Sequence, residues 1–277
     1  MKTHLLFSLS FIVLLFACQE SEYVPEGLRK LTPEEMITKA EQGDWGNAGE
    51  VVLKDEKGNV IPRDSLRKIT DFDAFWTDPY ADEDGKVVEA IMRQATPADK
   101  QLRDRINRIM NQGPDVKMVE VDCANKQDFL QAIYESDQYK RTERVDPKVD
   151  HENLGKIVSF LEKCGVPKKA EVSEVQMAAI WAVLQHGSLR YRKQYLPMLT
   201  AAAKRGDMDK GVIGMMKDRN LMDEGKPQIY GTQIRGNQLY TLFNPEFVNK
   251  RRKEIGLGPI QEYLDRWNIV FEIPQKE

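Results

Sequence analysis

Histidine and cysteine are scarce, each occurring three times in 277 residues. His4 and Cys18 fall in an N-terminal stretch of different texture, so the remaining chain offers only His151, His186, Cys123 and Cys164. It has no H-E-x-x-H, no paired C-x-x-C and no aspartate-rich calcium loop, which argues against a dedicated metal site. G-x-S-x-G and phosphate-cradling glycine loops are absent as well. No cofactor is therefore expected. A basic surplus is also missing: 41 lysines and arginines face 44 acidic residues, which gives no footing for nucleic acid. Beyond residue 17 no apolar run approaches the roughly 20 residues that span a bilayer.

What is present begins at the N-terminus. Lys2 and His4 precede Leu5 to Ala17, a nearly unbroken apolar run that is too short to span a membrane and has the form of a signal-peptide core. Leu15-Phe16-Ala17-Cys18 resembles the lipobox of bacterial lipoproteins. That resemblance implies lipidation of Cys18, cleavage just before it, and attachment to a membrane. Each buried methylene stabilises such an anchor by roughly 0.8 kcal/mol, so two or three acyl chains hold essentially permanently. Losing residues 1–17 removes Lys2 and no acid, so 40 basic residues then face 44 acidic ones, a net charge of −4. Cys18 is followed by Gln19 rather than aspartate, which favours the outer membrane over retention at the inner one.

Residues 18–32 read as a lipidated polar tether containing Pro25 and Gly27. From 33 to 115 the signals are mixed. Pro33 to Gln42 reads as a short helix, and the glycine turns at Lys57-Gly58 and Asp84-Gly85 suggest hairpins. Asp71 to Trp76 reads as a loop pinned to the core by its aromatics. Thr96-Pro97-Ala98-Asp99 starts a helix with a cap, a proline in the first turn and an acid at the positive end of the dipole. Its apolar face comprises Leu102, Ile106, Ile109 and Met110.

From 120 to 268 the chain reads as a helical domain, with apolar residues at helical spacing and a capping box at Ser173 to Gln176, broken at Gly225 to Gln233 by a loop and at Asn237 to Phe243 by a short hairpin or extended return. The fold class expected is α+β, a mainly helical C-terminal domain behind a small hairpin-containing region. Export to an oxidising compartment makes a Cys123–Cys164 disulfide and two separate buried thiols equal alternatives. A bridge across their 41-residue separation would stabilise by about 3 to 4 kcal/mol on chain entropy.

Asp137-Gln138-x-x-Arg141, Asn153-Leu154, Gly165-x-Pro167, Gln185-His186, Leu196-Pro197, Asp218-Arg219 and Gly225-Lys226-Pro227-Gln228-x-Tyr230-Gly231-Thr232-Gln233 occur in that order. The succession resembles an uncharacterised family of bacterial domains of unknown function, over residues 125–268. The resemblance implies no activity, but it groups Asp137, Gln138, Arg141, Gln185, His186, Asp218, Arg219, Gln228, Tyr230, Thr232 and Gln233. One reading makes them a pocket in which His186 carries protons and Asp218 orients it, as in a hydrolase-like enzyme. Glycosidic cleavage, which needs only two suitably placed carboxylates, would draw on Asp218 with Glu224 or Asp137. The favoured alternative is a buried structural network, or a non-catalytic pocket built on it. That makes the chain a binding or scaffolding module of the cell envelope, with a peptide, a glycan or a partner envelope protein as ligand.

Overall fold

The computed structural model describes residues 23–43, 45, 49–66, 69, 71–139, 146–235 and 238–276. The apolar leader, Cys18 and Arg141 lie outside them.

Local sequence sets the first elements. Thr32 caps α1 (Pro33–Gln42) in a reciprocal capping box with Glu35, and Gly43 ends the helix in the left-handed conformation. Around α1 lie β1 (Arg29–Lys30), β2 (Val52–Asp55), the short α2 (Arg63–Leu66), β3 (Phe75–Ala81), β4 (Val87–Gln94) and α3 (Pro97–Gln112). The strands form one sheet in the order β1-β3-β4-β2, with β2 parallel to β4 and the other pairs antiparallel.

The Asp84-Gly85 turn makes the expected hairpin between β3 and β4, closed by Asp82, whose side chain accepts from Asp84 N and Lys86 N. The Lys57-Gly58 turn closes only a single antiparallel bridge, Lys54 to Val60, while the other edge of β2 pairs in parallel with β4. Asp71 to Trp76 is not a loop throughout. Phe72–Ala74 is a 3₁₀ turn capped by Asp71, and Phe75 and Trp76 open β3, with Trp76 buried in the sheet's core. Part of the segment expected as a tether, residues 18–32, is folded onto the sheet. Tyr23 N donates to Glu56 O, β1 pairs with β3, and Leu31 is 4% exposed in the core with Met36, Ile37 and Ala40. A two-residue edge strand has no periodicity to betray it.

α3 begins at the expected Thr96 cap, and Asp99, expected only as an acid at the dipole's positive end, also closes a reciprocal capping box with it. Arg93 on β4 bridges Asp78 at 2.7 Å and Asp99 at 2.6 Å, tying sheet to helix. This guanidinium holds the Asp99 carboxyl well below the usual carboxylate range. Ile106 is the buried residue of α3, whereas Met110 is exposed.

The rest is helical: α4 (Lys126–Gln138), α5 (Pro147–Cys164), α6 (Glu174–His186), α7 (Leu189–Arg205) and α8 (Lys210–Asp223), then α9 (Val248–Glu254) and α10 (Ile260–Leu264). A two-stranded ribbon of β5 (Ile234–Arg235) and β6 (Gln238–Leu239) lies between α8 and α9. The fold is thus α+β, with a helical C-terminal part. α6 is the hub: Ala179, Ile180, Ala182, Val183 and Leu184 bury more than one face of it, as a helix surrounded by α4, α5, α7 and α8 requires. Pro197 sits inside α7 without ending it. The partner it denies is the carbonyl of exposed Lys193, which water can satisfy.

A disulfide joins Cys123, just ahead of α4, to Cys164 at the end of α5. The core takes in Val116 and Val121 ahead of α4. Past 268 the chain folds back, with Ile269 and Phe271 packed on Val248, Ile260 and Leu264. No described helix is long and apolar enough to cross a membrane.

Gly155, buried in α5, marks a close approach: a Cβ there would lie 2.6 Å from the Lys117 carbonyl oxygen. Alanine is the better helix former by about 1 kcal/mol. A backbone oxygen cannot swing aside, so Gly155→Ala is expected to destabilise by about 1 to 3 kcal/mol through overpacking, read as a lower urea midpoint. An unchanged or higher midpoint would contradict that contact.

Candidate functional site

The polar residues grouped from the sequence separate into two places. The first is the loop after α8. Asp218 is fully buried, and its carboxylate accepts from Ile229 N (2.7 Å), Tyr230 N (3.0 Å), Thr232 N (3.1 Å) and Thr232 Oγ1 (2.9 Å). Gln228, also fully buried, donates to the Gln233 and Tyr240 carbonyls and accepts from Gln233 N. Gln233 Nε2 reaches Thr232 Oγ1. From outside, Arg251 holds the Ile229 carbonyl and Arg252 the Tyr230 carbonyl. Burial pushes the Asp218 carboxyl above the usual carboxylate range, against the pull of its amide donors. Burial likewise raises the Tyr230 phenol.

These side chains satisfy one another and the backbone of residues 228–233, so this half of the set is structural. Asp218 as the orienting partner of His186 is corrected accordingly. Its oxygens are occupied by loop donors, and the carboxylate beside His186 belongs to another helix.

That second place lies where α4, α5 and α6 end or begin. His186 Nδ1 is 3.1 Å from Asp137 Oδ1, with the histidine side chain 29% exposed and the aspartate 1%. Gln138 Nε2 donates to Asp137 Oδ2 at 2.7 Å. Asp150, near the start of α5, completes a group whose donor atoms lie within 4.8 Å of one another. Asp137 and Asp150 each have further polar contacts. Spacing alone pointed away from any metal-type cluster, because residues 137, 150 and 186 converge only in the folded chain.

His186 and Arg219 open onto a cleft of about 1010 Å³ between the sheet-bearing unit and the helical domain. Ala40, Gln42 and Asn107 from α1 and α3 form one wall; Asp150 and His151 of α5 and Arg235 of β5 contribute to the other. Gln185 lies apart from the cleft lining, its Oε1 buried without a hydrogen bond.

Sequence reasoning missed Arg192, which anchors the cleft's floor. It is 3% exposed and donates Nε to Asn220 Oδ1 at 2.8 Å, Nη1 to the Gly187 carbonyl and Nη2 to Asp223 Oδ2. Desolvation pushes its guanidinium down to about 10, which still leaves it charged at neutral pH. An arginine one turn into a helix reads as part of a solvated face, and no local signal distinguishes it. Asp150 and His151 had one weak pointer, their position just ahead of Asn153-Leu154.

No curated protein and no solved structure shows significant similarity to the chain. Residues 112–273 match a family of unknown function, DUF6624. The match spans more than half of the chain and takes in Asp137, His186, Arg192 and the whole Asp218 loop, so the protein belongs to that family.

Proposed function

We propose that the protein is a binding module of the cell envelope, lipid-anchored to the outer membrane because Gln19 rather than aspartate follows Cys18, and that its cleft takes a carboxylate-bearing peptide or glycan fragment. The observation that carries this reading is the cleft. Its volume of about 1010 Å³ is that of a small-ligand site, about 300 to 1,000 Å³, and its concave form suits a chain segment better than a flat protein face. Among its charged residues, Arg192 and Asp223 bind each other, and Asp146 caps α5. Arg219 reaches Asp223 only at 3.6 Å. Among the described residues, Arg219, Lys148 and Arg235 are the cleft cations left to meet an acidic ligand.

Calorimetric titration with soluble muropeptides, which carry peptide carboxylates on a glycan, tests the reading. Saturable binding is expected, weakened at least about tenfold in Arg219→Glu/Arg235→Glu, since each charge-assisted contact is worth roughly 1.5 to 3 kcal/mol. Separate stem peptides and glycan chains divide the two chemistries, and absence of binding by all three would defeat the proposal. The anchor is tested by labelling with a lipid precursor: label is expected on the parent and absent from Cys18→Ser.

A hydrolytic reading has one observation in its favour, the His186–Asp137 pair at the cleft's edge. With Nδ1 donating to a buried carboxylate, Nε2 is left to exchange protons with a bound molecule. On that reading His186→Ala abolishes turnover of the bound fragment while the melting temperature holds.

A further inference from the structure

We propose that Asp137, Asp150 and His186 form a binding site for a single transition-metal dication, with Asn153 as a neighbouring oxygen donor. The three side chains come from three helices, yet each offers a donor atom within 4.8 Å of the others. Among the described residues this is the one such group of three or more histidine, cysteine or acidic side chains. The 3.1 Å separation of His186 Nδ1 and Asp137 Oδ1 is close to the roughly 3.3 Å between two ligands that each stand about 2.0 Å from a tetrahedral ion. One imidazole with carboxylate oxygens suits Zn²⁺ better than Ca²⁺, which takes six to eight oxygens.

The second observation is Asn153. It follows Asp150 by three residues on α5, hence on the same face. It is fully buried, and its Nδ2 donates to Ser136 Oγ, the residue before Asp137, at 3.3 Å. Its carboxamide thus sits in the contact between α4 and α5, the helices that carry the two aspartates, and its Oδ1 is a buried acceptor with no hydrogen bond. An orphaned buried carbonyl costs about 1 to 3 kcal/mol, and a cation or the water it carries would satisfy it. Asp137 and Asp150 keep other polar contacts in the unliganded chain, which the ion shares or displaces. His186 faces the cleft, so an ion there has an entry path and an open position.

The test is calorimetric titration of the untagged full-length chain in mild detergent with Zn²⁺ alone. One ion per chain is expected. His186→Ala and Asp150→Asn should each weaken binding by about 10- to 100-fold, and acidification should weaken it too, because the ligands must lose their protons. His151→Ala, which removes an imidazole of the same cleft but outside the group, should leave affinity unchanged. Circular dichroism of each variant establishes that it is folded. No saturable uptake, or uptake that survives both substitutions, or an equal loss in His151→Ala, would overturn the site.

Discussion

Asp218→Ala should be among the most damaging single substitutions in the protein, destabilising it by about 3 to 5 kcal/mol. The carboxylate is fully buried and accepts from three backbone N–H groups and one hydroxyl. Removing it leaves those donors with neither protein nor water, at about 1 to 3 kcal/mol for each one unpaired. For a domain of 150 to 250 residues, a loss of this size lowers the melting temperature by roughly 10 °C. Asp218→Asn should fall between the two, because one amide oxygen replaces two carboxylate oxygens and the new NH₂ faces existing donors. Thermal melting followed by circular dichroism reads both, and an alanine variant melting within about 2 °C of the parent would refute the structural role.

A comparable loss, about 3 to 5 kcal/mol, is expected for Arg192→Met. Methionine replaces much of the stem's volume, so the effect isolates the guanidinium rather than a cavity. What remains is Asp223 without its main counter-charge, and the Gly187 carbonyl and Asn220 side chain without donors. Desolvation already lowers the Arg192 pKa to about 10, so the site holds its charge at a cost that the partners offset. Raising Arg192→Met further to Arg192→Met/Asp223→Leu removes the stranded carboxylate and should recover part of the loss in a urea titration. Failure of the second change to recover any stability would show that packing, and not the ion pair, is what Arg192 supplies.

These two residues also show what can be read from a linear chain. Thr96 and Ser173 announce their helices because a capping box is complete within four residues. Pro33 to Gln42 is legible for the same reason, since its cap, proline and terminal glycine are all adjacent. Of the grouped polar residues, Asp137, Asp218, Gln228, Thr232 and Gln233 are buried whereas Gln138, His186 and Arg219 are exposed, and their division between two places was hidden. Asp218 finds its donors 11 to 14 positions ahead, whereas His186 finds Asp137 49 positions behind. Nothing in the spacing tells a loop clamp from a cleft. β1 was invisible because two residues carry no alternation, and Arg192 because a charged residue in a helix looks solvated until its neighbours are known.

The cleft has one wall that the family does not supply. The shared domain begins at residue 112, yet Ala40, Gln42 and Asn107 stand before it and face His186 across the opening. On the binding proposal, side chains outside the shared domain take part in choosing the ligand, and enlarging Ala40 or Asn107 is expected to change preference while leaving the helical scaffold folded.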